Sequence, residues 1–551
     1  MTESAAARRI FQITMLFAAL VTGARLLAPF EIGKDQSLQL EAAQRLVQGQ
    51  GLTSTYYLRY DSKDLAAPPI AEPLTWWPPG FPALMAGLLR LGLPLLVALK
   101  LLYGLTTLAG WLGWARIAQR ALAVADRPRA FAVACALAAL LPIFHTPWWG
   151  GTDLFLWAGI AWFLLLLFQP QRRGAAIAVA GLLVGALYAM RWASMFVALG
   201  GLLILAVQQG ERDWRATARR LAFFCLPLAL TALPIFLYIR ARKQGGVGLP
   251  DYVRLGAAAR SLSALLDYVL SSLPVASDLL LGHPLIEDLV MYKLDVHAVS
   301  YAVGLASLAG LAGMAWLPLC LMALLIVMGL LAPEQQQLEH RRFHMPVRSV
   351  CVLAWFQLAV VRPVPRAARL AAGGALLLFL VYYCVYQPLR LFSPAKRYST
   401  IQAVLSFTPS AVKNYSSTST PIGYPDNRLY SLKESSRRQI RAMHAAAPEA
   451  LFLVDNYAYF VYDNFAGTGL RPGDNLRRLP PPAFREEAHI SRPRQIFWVV
   501  DRPEAAAAWL PADQLALVFW DASEKTYIFA SALPAGYRFS LPADAPRRLA
   551  P

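Results

Sequence analysis

Three ionisable side chains lie at the ends of apolar runs, where polar groups are rare. Asp35 follows the run Ile10–Leu27, Asp153 begins a run after Trp148, and Arg191 separates two runs. A carboxylate there can accept a proton from a hydroxyl or cap a helix N-terminus. An arginine can bind a phosphate bidentately or extend towards lipid headgroups. Because an acid beginning an apolar run is costly unless it is paired or serves a site, Asp153 is a candidate functional residue.

The elements that position these residues are long apolar segments. The chain has 551 residues, of which 57% are hydrophobic and only 15% charged, and its mean hydropathy is +0.43. Globular proteins average about 25% charged residues, whereas the apolar runs here approach the roughly 20 residues that cross a bilayer. The composition therefore predicts a polytopic membrane protein and excludes a water-soluble globule, a disordered chain, collagen and a coiled coil.

The net charge of +19 reflects topology rather than nucleic-acid binding. The excess of 52 basic over 33 acidic residues lies in clusters that follow apolar runs: Arg116–Arg129, Arg172–Arg173, Arg212–Arg220 and Arg341–Arg348. Such clusters are typical of cytoplasmic loops. This predicts an inner-membrane, multi-pass protein with a cytoplasmic N-terminus, and it puts Asp35, Asp153 and Arg191 on the external side.

The spans expected from these patterns number about nine to eleven. The run 10–27 is interpreted as a retained span rather than a cleaved signal peptide, because no small-residue cleavage site follows it. The other expected crossings are 82–115, which starts with a short helix, 130–147, 152–169, 174–190, 192–208, 220–239, 299–332 and 369–387. The run 350–361 is too short to cross and is interpreted as interfacial or re-entrant. Loops 31–78 and 240–297 lie outside, the second with an amphipathic helix near Leu262–Ser271.

The composition becomes that of a soluble domain near residue 388. The pattern predicts a helix at Leu432–Ala445 and strands at Leu451–Val454, Gln495–Val500, Leu515–Trp520 and Thr526–Ala530. We therefore expect a transmembrane domain over 1–387 and a small external, periplasmic α/β domain over 388–551.

The first external loop carries a recognisable combination of residues. Asp35, Ala43 and Gly49-Gln50-Gly51 are followed by the re-entry segment Pro78-Pro79-Gly80-Phe81-Pro82. This combination resembles the opening of the GT-C-type integral membrane glycosyltransferases, the group that includes protein O-mannosyltransferases (family 39) and the lipid A aminoarabinose transferase. The resemblance covers residues 1 to about 240 and the plan of spans followed by an external domain. An aromatic that often follows the acid in that family is replaced here by Leu38 and Leu40.

The resemblance implies an inverting glycosyltransferase that moves a sugar from a polyprenyl-phosphate-linked donor to an acceptor hydroxyl on a protein, lipid or glycan. It implies that Asp35 is the general base, and that Asp153 positions the acceptor, assists proton transfer or contacts a metal. Arg191 would bind the departing phosphate, unless it only extends to headgroups. Further candidates for substrate binding are Arg59, His145, Arg240, Arg242 and Lys243.

Two other functions remain open at this stage. A transporter or flippase of lipid-linked glycans would carry ionisable residues within its spans, whereas here they gather at the external rim. A non-catalytic scaffold for polysaccharide assembly is the third possibility. The sequence contains no phosphate-binding loop, dinucleotide fingerprint, zinc-protease helix or nucleophile elbow, and no spacing of ligands identifies a divalent metal.

Overall fold

The computed structural model describes only part of the chain. The described residues are 5–27, 34–54, 64–67, 71–75, 77–121, 134, 137, 152–167, 174–192, 194–207, 214–242, 349, 353, 365–367, 369–370, 373–374, 434–454, 470, 475–479, 482–492, 494–500, 502–521 and 526–539. The expected spans 130–147, 299–332 and 369–387, the short run 350–361 and the amphipathic helix in loop 240–297 lie wholly or almost wholly outside them.

Helices make up most of the described chain. They are α1 (Ala5–Leu27), α2 (Lys34–Val47), α3 (Gly80–Arg90), α4 (Leu95–Ala121), α5 (Thr152–Leu167), α6 (Gly174–Met190), α7 (Ser194–Val207), α8 (Trp214–Arg242), α9 (Glu434–Ala446) and α10 (Pro503–Ala507). The expected short helix before a long one is confirmed by α3 and α4, and the expected helices at 152–169, 174–190, 192–208 and 220–239 are confirmed by α5 to α8.

Strands occur near α2 and in the C-terminal region. They are β1 (Thr53–Ser54), β2 (Glu72–Pro73), β3 (Leu451–Val454), β4 (Leu476–Arg478), β5 (His489–Ile490), β6 (Arg494–Val500), β7 (Ala516–Asp521), β8 (Thr526–Leu533) and β9 (Tyr537–Arg538). The four strands expected from the sequence are confirmed as β3, β6, β7 and β8.

The chain divides into two compact units. The first consists of Met1–Phe30, Thr75–Phe81 and Lys100–Arg428. The second consists of Glu31–Leu74, Pro82–Leu99 and Leu429–Pro551. The first loop, with α2, is thus part of the same unit as the C-terminal region.

The first unit is a helical bundle packed through small residues. α6 packs against α5, α7 and α8, most extensively against α8. Gly181 lies against the backbone of Phe224, and Gly185 lies against the side chain of Thr231, so that the two helices approach closely. Small residues at such positions increase van der Waals contact between apolar helices.

Among the described residues, α8 is the helix both long and apolar enough to cross a membrane by itself, judged by length and composition. It has 29 residues, and the mean hydropathy of its most apolar window is 2.2. Shorter apolar helices run over Arg9–Gly23, Thr152–Leu167, Gly174–Met190 and Val197–Ala206.

Packing contacts fix the helix directions in the first unit. Helices α1 and α4 are antiparallel, since Leu26 contacts Gly104 while Phe11 stacks on Trp111. Helix α5 runs parallel to α4, with Gly110 against Trp157 and Gly113 against Ala161. Helices α5 and α6 are antiparallel, and α6 and α8 are parallel.

These directions separate the charges along the bundle. One end carries exposed arginines from α1, α4 and α8, namely Arg9, Arg116, Arg215 and Arg219. The opposite end carries the start of α5 and the ends of α6 and α8, and therefore Asp153, Arg191 and the exposed Arg240 and Arg242. The first of these ends is the more basic, as the clustering of arginines in the sequence predicts.

The second unit contains a five-stranded mixed sheet in the order β4-β3-β6-β8-β7. Strands β4, β3 and β6 are parallel, whereas β8 is antiparallel to both β6 and β7. Trp498 and Trp509 are buried on one face with ring centroids 6.1 Å apart. On the other side Phe452 stacks on Phe497 at 4.8 Å. The C-terminal region thus has the expected sheet, within a compact unit that also includes Glu31–Leu74 and Pro82–Leu99.

Candidate active site

Asp153 and Arg191 form an ion pair at the end of the bundle where α5 begins and α6 ends. The Arg191 Nε atom lies 2.8 Å from the Asp153 Oδ1 atom, and Arg191 Nη1 donates to the Thr152 hydroxyl at 2.7 Å. The side chains are 13% exposed for Arg191 and 30% exposed for Asp153. A guanidinium held by a carboxylate and a hydroxyl has a defined orientation, and the two atoms of the ion pair are themselves buried.

The α5–α6 hairpin brings these residues together. Asp153 lies in the first turn of α5, and Arg191 directly follows α6, with its N–H donating to the carbonyl of Leu187 at 2.8 Å. Lower in the hairpin, Leu187 packs on Gly159. The end of α6 therefore lies beside the start of α5, and the arginine reaches across to the acid.

The proline-rich re-entry segment packs against the same end of the hairpin. A Cβ atom on Gly80 would lie 2.5 Å from the carbonyl oxygen of Ala189, so the start of α3 touches the last turn of α6 backbone to backbone. The ring centroid of Phe81 lies 6.3 Å from that of Phe155. The segment that supports the family resemblance thus contacts the helices that carry Asp153 and Arg191.

A second aromatic pair completes this end of the bundle. Tyr188 and Trp192 meet edge to face with ring centroids 5.1 Å apart. Amphipathic aromatics of this kind are typical of the membrane–water interface.

An anionic phosphate that enters here would compete with Asp153 for the guanidinium of Arg191, because both are strong acceptors for its N–H groups.

Asp35 is the second residue of α2 and belongs to the second unit. Asp35 lies in the first turn of this helix. Helix α2 is followed by two glycines, Gly49 and Gly51, with φ angles of 79° and 76°, which residues with a Cβ rarely adopt.

Two hydrogen bonds hold the middle and end of α2. The buried carboxylate of Glu41 accepts from the Ser54 hydroxyl at 2.8 Å, and Arg45 Nε donates to the Thr53 hydroxyl at 2.8 Å. Strands β1 and β2 pair antiparallel, with Ser54 opposite Glu72. The helix that carries Asp35 is thus attached to the hairpin that follows it.

The remaining candidates are scattered or undescribed. Arg240 and Arg242 are exposed on the last turn of α8, and the Arg242 guanidinium lies 5.8 Å from the centre of the Tyr238 ring. Arg59, His145 and Lys243 lie outside the described residues. Within the described residues, no group of three or more His, Cys, Asp or Glu side chains could hold a metal ion.

Sequence reasoning singled out Asp153 and Arg191 separately and missed their pairing. The two residues are equally distant along the chain from Arg172, which lies in the basic stretch between the two apolar runs of the sequence. That symmetry predicts a cross-hairpin pair once α5 and α6 are known to be adjacent and antiparallel.

Comparisons with known proteins gave structural matches only. No family model and no curated protein matches the chain. Among solved structures it is similar to the arabinofuranosyltransferase AftD from Mycobacteria, with 16% identity, a TM-score of 0.45 and 97% of this chain covered. It spans only 40% of that protein.

Two further structures match. Cupriavidus metallidurans ArnT bound to undecaprenyl phosphate has 14% identity and a TM-score of 0.49, with 94% of this chain and 98% of ArnT covered. The third structure is the archaeal oligosaccharyltransferase AglB from Archaeoglobus fulgidus, in complex with an inhibitory peptide and a dolichol-phosphate. It has 11% identity and a TM-score of 0.42, with 97% of this chain and 75% of AglB covered. The chain is similar, over nearly its whole length, to membrane glycosyltransferases of the GT-C type.

Proposed function

We propose that the protein is an inverting glycosyltransferase that transfers a sugar from a polyprenyl-phosphate-linked donor to an acceptor hydroxyl at the outer face of the cytoplasmic membrane. The observation that carries the proposal is the Asp153–Arg191 pair, which lies at the end of the bundle opposite the more basic end. The ion pair offsets the cost of placing Asp153 at the start of an apolar helix, and it also holds a guanidinium, which binds anionic groups strongly, at that end of the bundle.

The charge separation supports the orientation. Because loops rich in arginine stay in the cytoplasm, the end with Arg9, Arg116 and Arg215 is assigned to the cytoplasmic side. Asp153 and Arg191 then face outward, as do the first loop and the C-terminal domain over 388–551, within a multi-pass protein of the inner membrane. The 1–387 domain would contribute the nine to eleven spans.

The outer face restricts the donor. Nucleotide sugars are cytosolic, whereas a lipid-linked sugar that has been flipped can enter sideways from the bilayer. Its phosphate requires cations on the external side, where the positive-inside bias makes them scarce. Arg191 meets this requirement, and the exposed Arg240 and Arg242 at the end of α8 would attract the lipid headgroup electrostatically.

The reaction is a single displacement. The oxygen of the acceptor hydroxyl attacks the anomeric carbon while the bond from that carbon to the phosphate oxygen breaks, and both bonding electrons leave with the lipid phosphate. The Asp35 carboxylate takes the hydroxyl proton as the new bond forms. Arg191 offsets the negative charge that grows on the departing phosphate, and Asp153 orients Arg191 and the acceptor.

Transfer by purified protein in lipid nanodiscs tests the proposal. The wild type should move labelled sugar from a polyprenyl-phosphate donor to an acceptor or water. Asp35→Asn should lower kcat by roughly 10²- to 10⁴-fold, while Asp513→Asn, on the surface of the C-terminal region, should not.

The controls address folding and the rival functions. Asp35→Asn protein that is folded, as judged by its melting temperature, and that transfers at the wild-type rate would remove Asp35 from its assigned role. Movement of the labelled lipid across vesicles without sugar transfer would identify a flippase instead. If the wild type neither transfers sugar nor moves the lipid across vesicles, a non-catalytic scaffold would be the remaining function.

A further inference from the structure

Part of the first loop lies in the hydrophobic core of the C-terminal region. Leu65 and Ala66 are 8% and 6% exposed, and they are buried in a cluster with Trp498, Trp509 and Ile490. Removing these two apolar side chains from water stabilises the position of the loop on the sheet. The segment 64–67 is therefore anchored.

Hydrogen bonds to the backbone hold the segment 64–67, here called the anchor, on the C-terminal region. The Leu65 N–H donates to the His489 carbonyl at 2.9 Å, and the Arg477 guanidinium donates to the Leu65 carbonyl. One oxygen of the Asp64 side chain accepts from the N–H groups of Ala66 at 2.9 Å and Ser491 at 3.0 Å. Asp64 thus joins the loop and the strand end after β5 through one carboxylate.

The protonation of Asp64 reflects these contacts. Burial alone would raise the pKa of the carboxyl group, but the hydrogen bonds from Ser491 and Ala66 and the nearby His489 outweigh burial and lower the pKa from its ordinary value of 3.8. The group therefore stays charged at neutral pH, when N–H donors bind it most strongly.

The same loop is attached to α2 at its other end. Ser54 and Thr53 bond to Glu41 and Arg45 of α2, and the Leu74 N–H donates to the Leu52 carbonyl at 2.9 Å, which closes the β1–β2 hairpin. Asp64 lies within the stretch of chain that this hairpin encloses, and Glu31–Leu74, which includes α2, belongs to the same compact unit as the C-terminal region.

We propose that Asp64 is a positioning residue, which anchors the first loop on the C-terminal domain so that this domain holds α2, and with it Asp35, in place. The inference rests on the proposed function for its kinetic consequence. Its structural part, the restraint of α2 by the C-terminal domain, stands independently.

Full-length variants in nanodiscs test the anchor. Asp64→Ala should speed amide hydrogen exchange over residues 34–54 and lower kcat by roughly 10- to 100-fold, because small misplacements of a catalytic group cost this much, while KM for the lipid donor stays unchanged. Asp64→Asn keeps an oxygen acceptor for both N–H groups and should restore most of kcat. Asp513→Ala, in the same unit but remote in sequence from the anchor, is the control and should match the wild type.

Ser54→Ala separates positioning from a general loss of folding. This change removes the hydrogen bond from Ser54 to Glu41 of α2 and leaves the C-terminal core intact. It should therefore speed amide hydrogen exchange over residues 34–47 and lower kcat, while the strands of the C-terminal core remain protected from exchange. Wild-type exchange and kcat in both Asp64→Ala and Ser54→Ala would overturn the proposal. If the wild type transfers no sugar, the proposed function fails, but faster exchange over 34–54 in Asp64→Ala would still support the anchor.

Discussion

The Arg191 guanidinium lies 2.8 Å from the Asp153 carboxylate and joins the end of α6 to the start of α5. Both residues sit at the end of the bundle opposite its arginine-rich end, and the re-entry segment packs beside them. The pair therefore contributes to the hairpin structure and to the charge of the candidate site.

Asp153 and Arg191 should be energetically coupled. Asp153→Asn and Arg191→Gln should each lower the melting temperature. The double variant should be destabilised by less than the sum of the two single effects, because either change alone already breaks the ion pair. We expect a coupling energy of about 0.5 to 1 kcal/mol. This value is at the low end of the coupling energies between residues in contact, because Asp153 is partly exposed to solvent. Strictly additive effects would show that the ion pair does not stabilise the hairpin. Arg242→Gln, at an exposed position, is the control.

Replacing Arg191 by lysine should weaken binding of the lipid phosphate. Lysine keeps the charge but lacks the planar fork that binds two oxygens at once. We expect the Kd for undecaprenyl phosphate, measured by titration in nanodiscs, to rise about tenfold, which corresponds to the loss of one charge-assisted hydrogen bond. Arg242→Lys should change the Kd little. An unchanged Kd in Arg191→Lys would argue against direct phosphate contact.

Gly80 should not tolerate alanine. A Cβ atom there would meet the Ala189 carbonyl at 2.5 Å, and backbone cannot move aside as a flexible side chain can. Gly80→Ala should destabilise the protein by about 1 to 3 kcal/mol and reduce transfer by shifting α3 against α6. Gly87→Ala in the same helix meets no atom within 4 Å and should be neutral or slightly stabilising. Equal melting temperatures for the two variants would contradict the close contact.

Asp64 should make the second unit less stable in acid. Because its pKa is lowered in the folded protein, its contribution is fully present above its unfolded pKa and is lost as pH falls through the folded value. The melting temperature of the wild type should therefore exceed that of Asp64→Ala at neutral pH, and the difference should shrink below about pH 4. If the difference in melting temperature between the wild type and Asp64→Ala grew as the pH fell, the pKa of Asp64 would be raised by folding rather than lowered.

Local patterns account for most of the elements. The apolar segment between Arg173 and Arg191 predicts α6 within a residue at each end, since only chain-local hydrophobicity and flanking charges are needed. Short apolar runs bounded by Pro and Gly likewise predict β3, β6, β7 and β8. Strand β4 was missed because Leu476–Arg478 is three residues long and two of them are arginine.

The candidate site was predicted only in its components. Asp35, Asp153 and Arg191 were selected by residue type and by position at the ends of apolar runs. The close approach of Gly80 to Ala189 and the burial of Leu65 beneath the C-terminal sheet have no local signature, because each joins segments that are distant in sequence.

The sequence by itself determined the apolar helices, the segregation of arginines to one side and the small C-terminal α/β unit, because hydrophobic period and charge are properties of neighbouring residues. Only the tertiary structure decided that Asp153 pairs with Arg191 and that Asp64 binds the loop to Ser491. Such pairings depend on which helices and strands pack together and in which register, and that choice is made by the shapes of the whole packed surfaces.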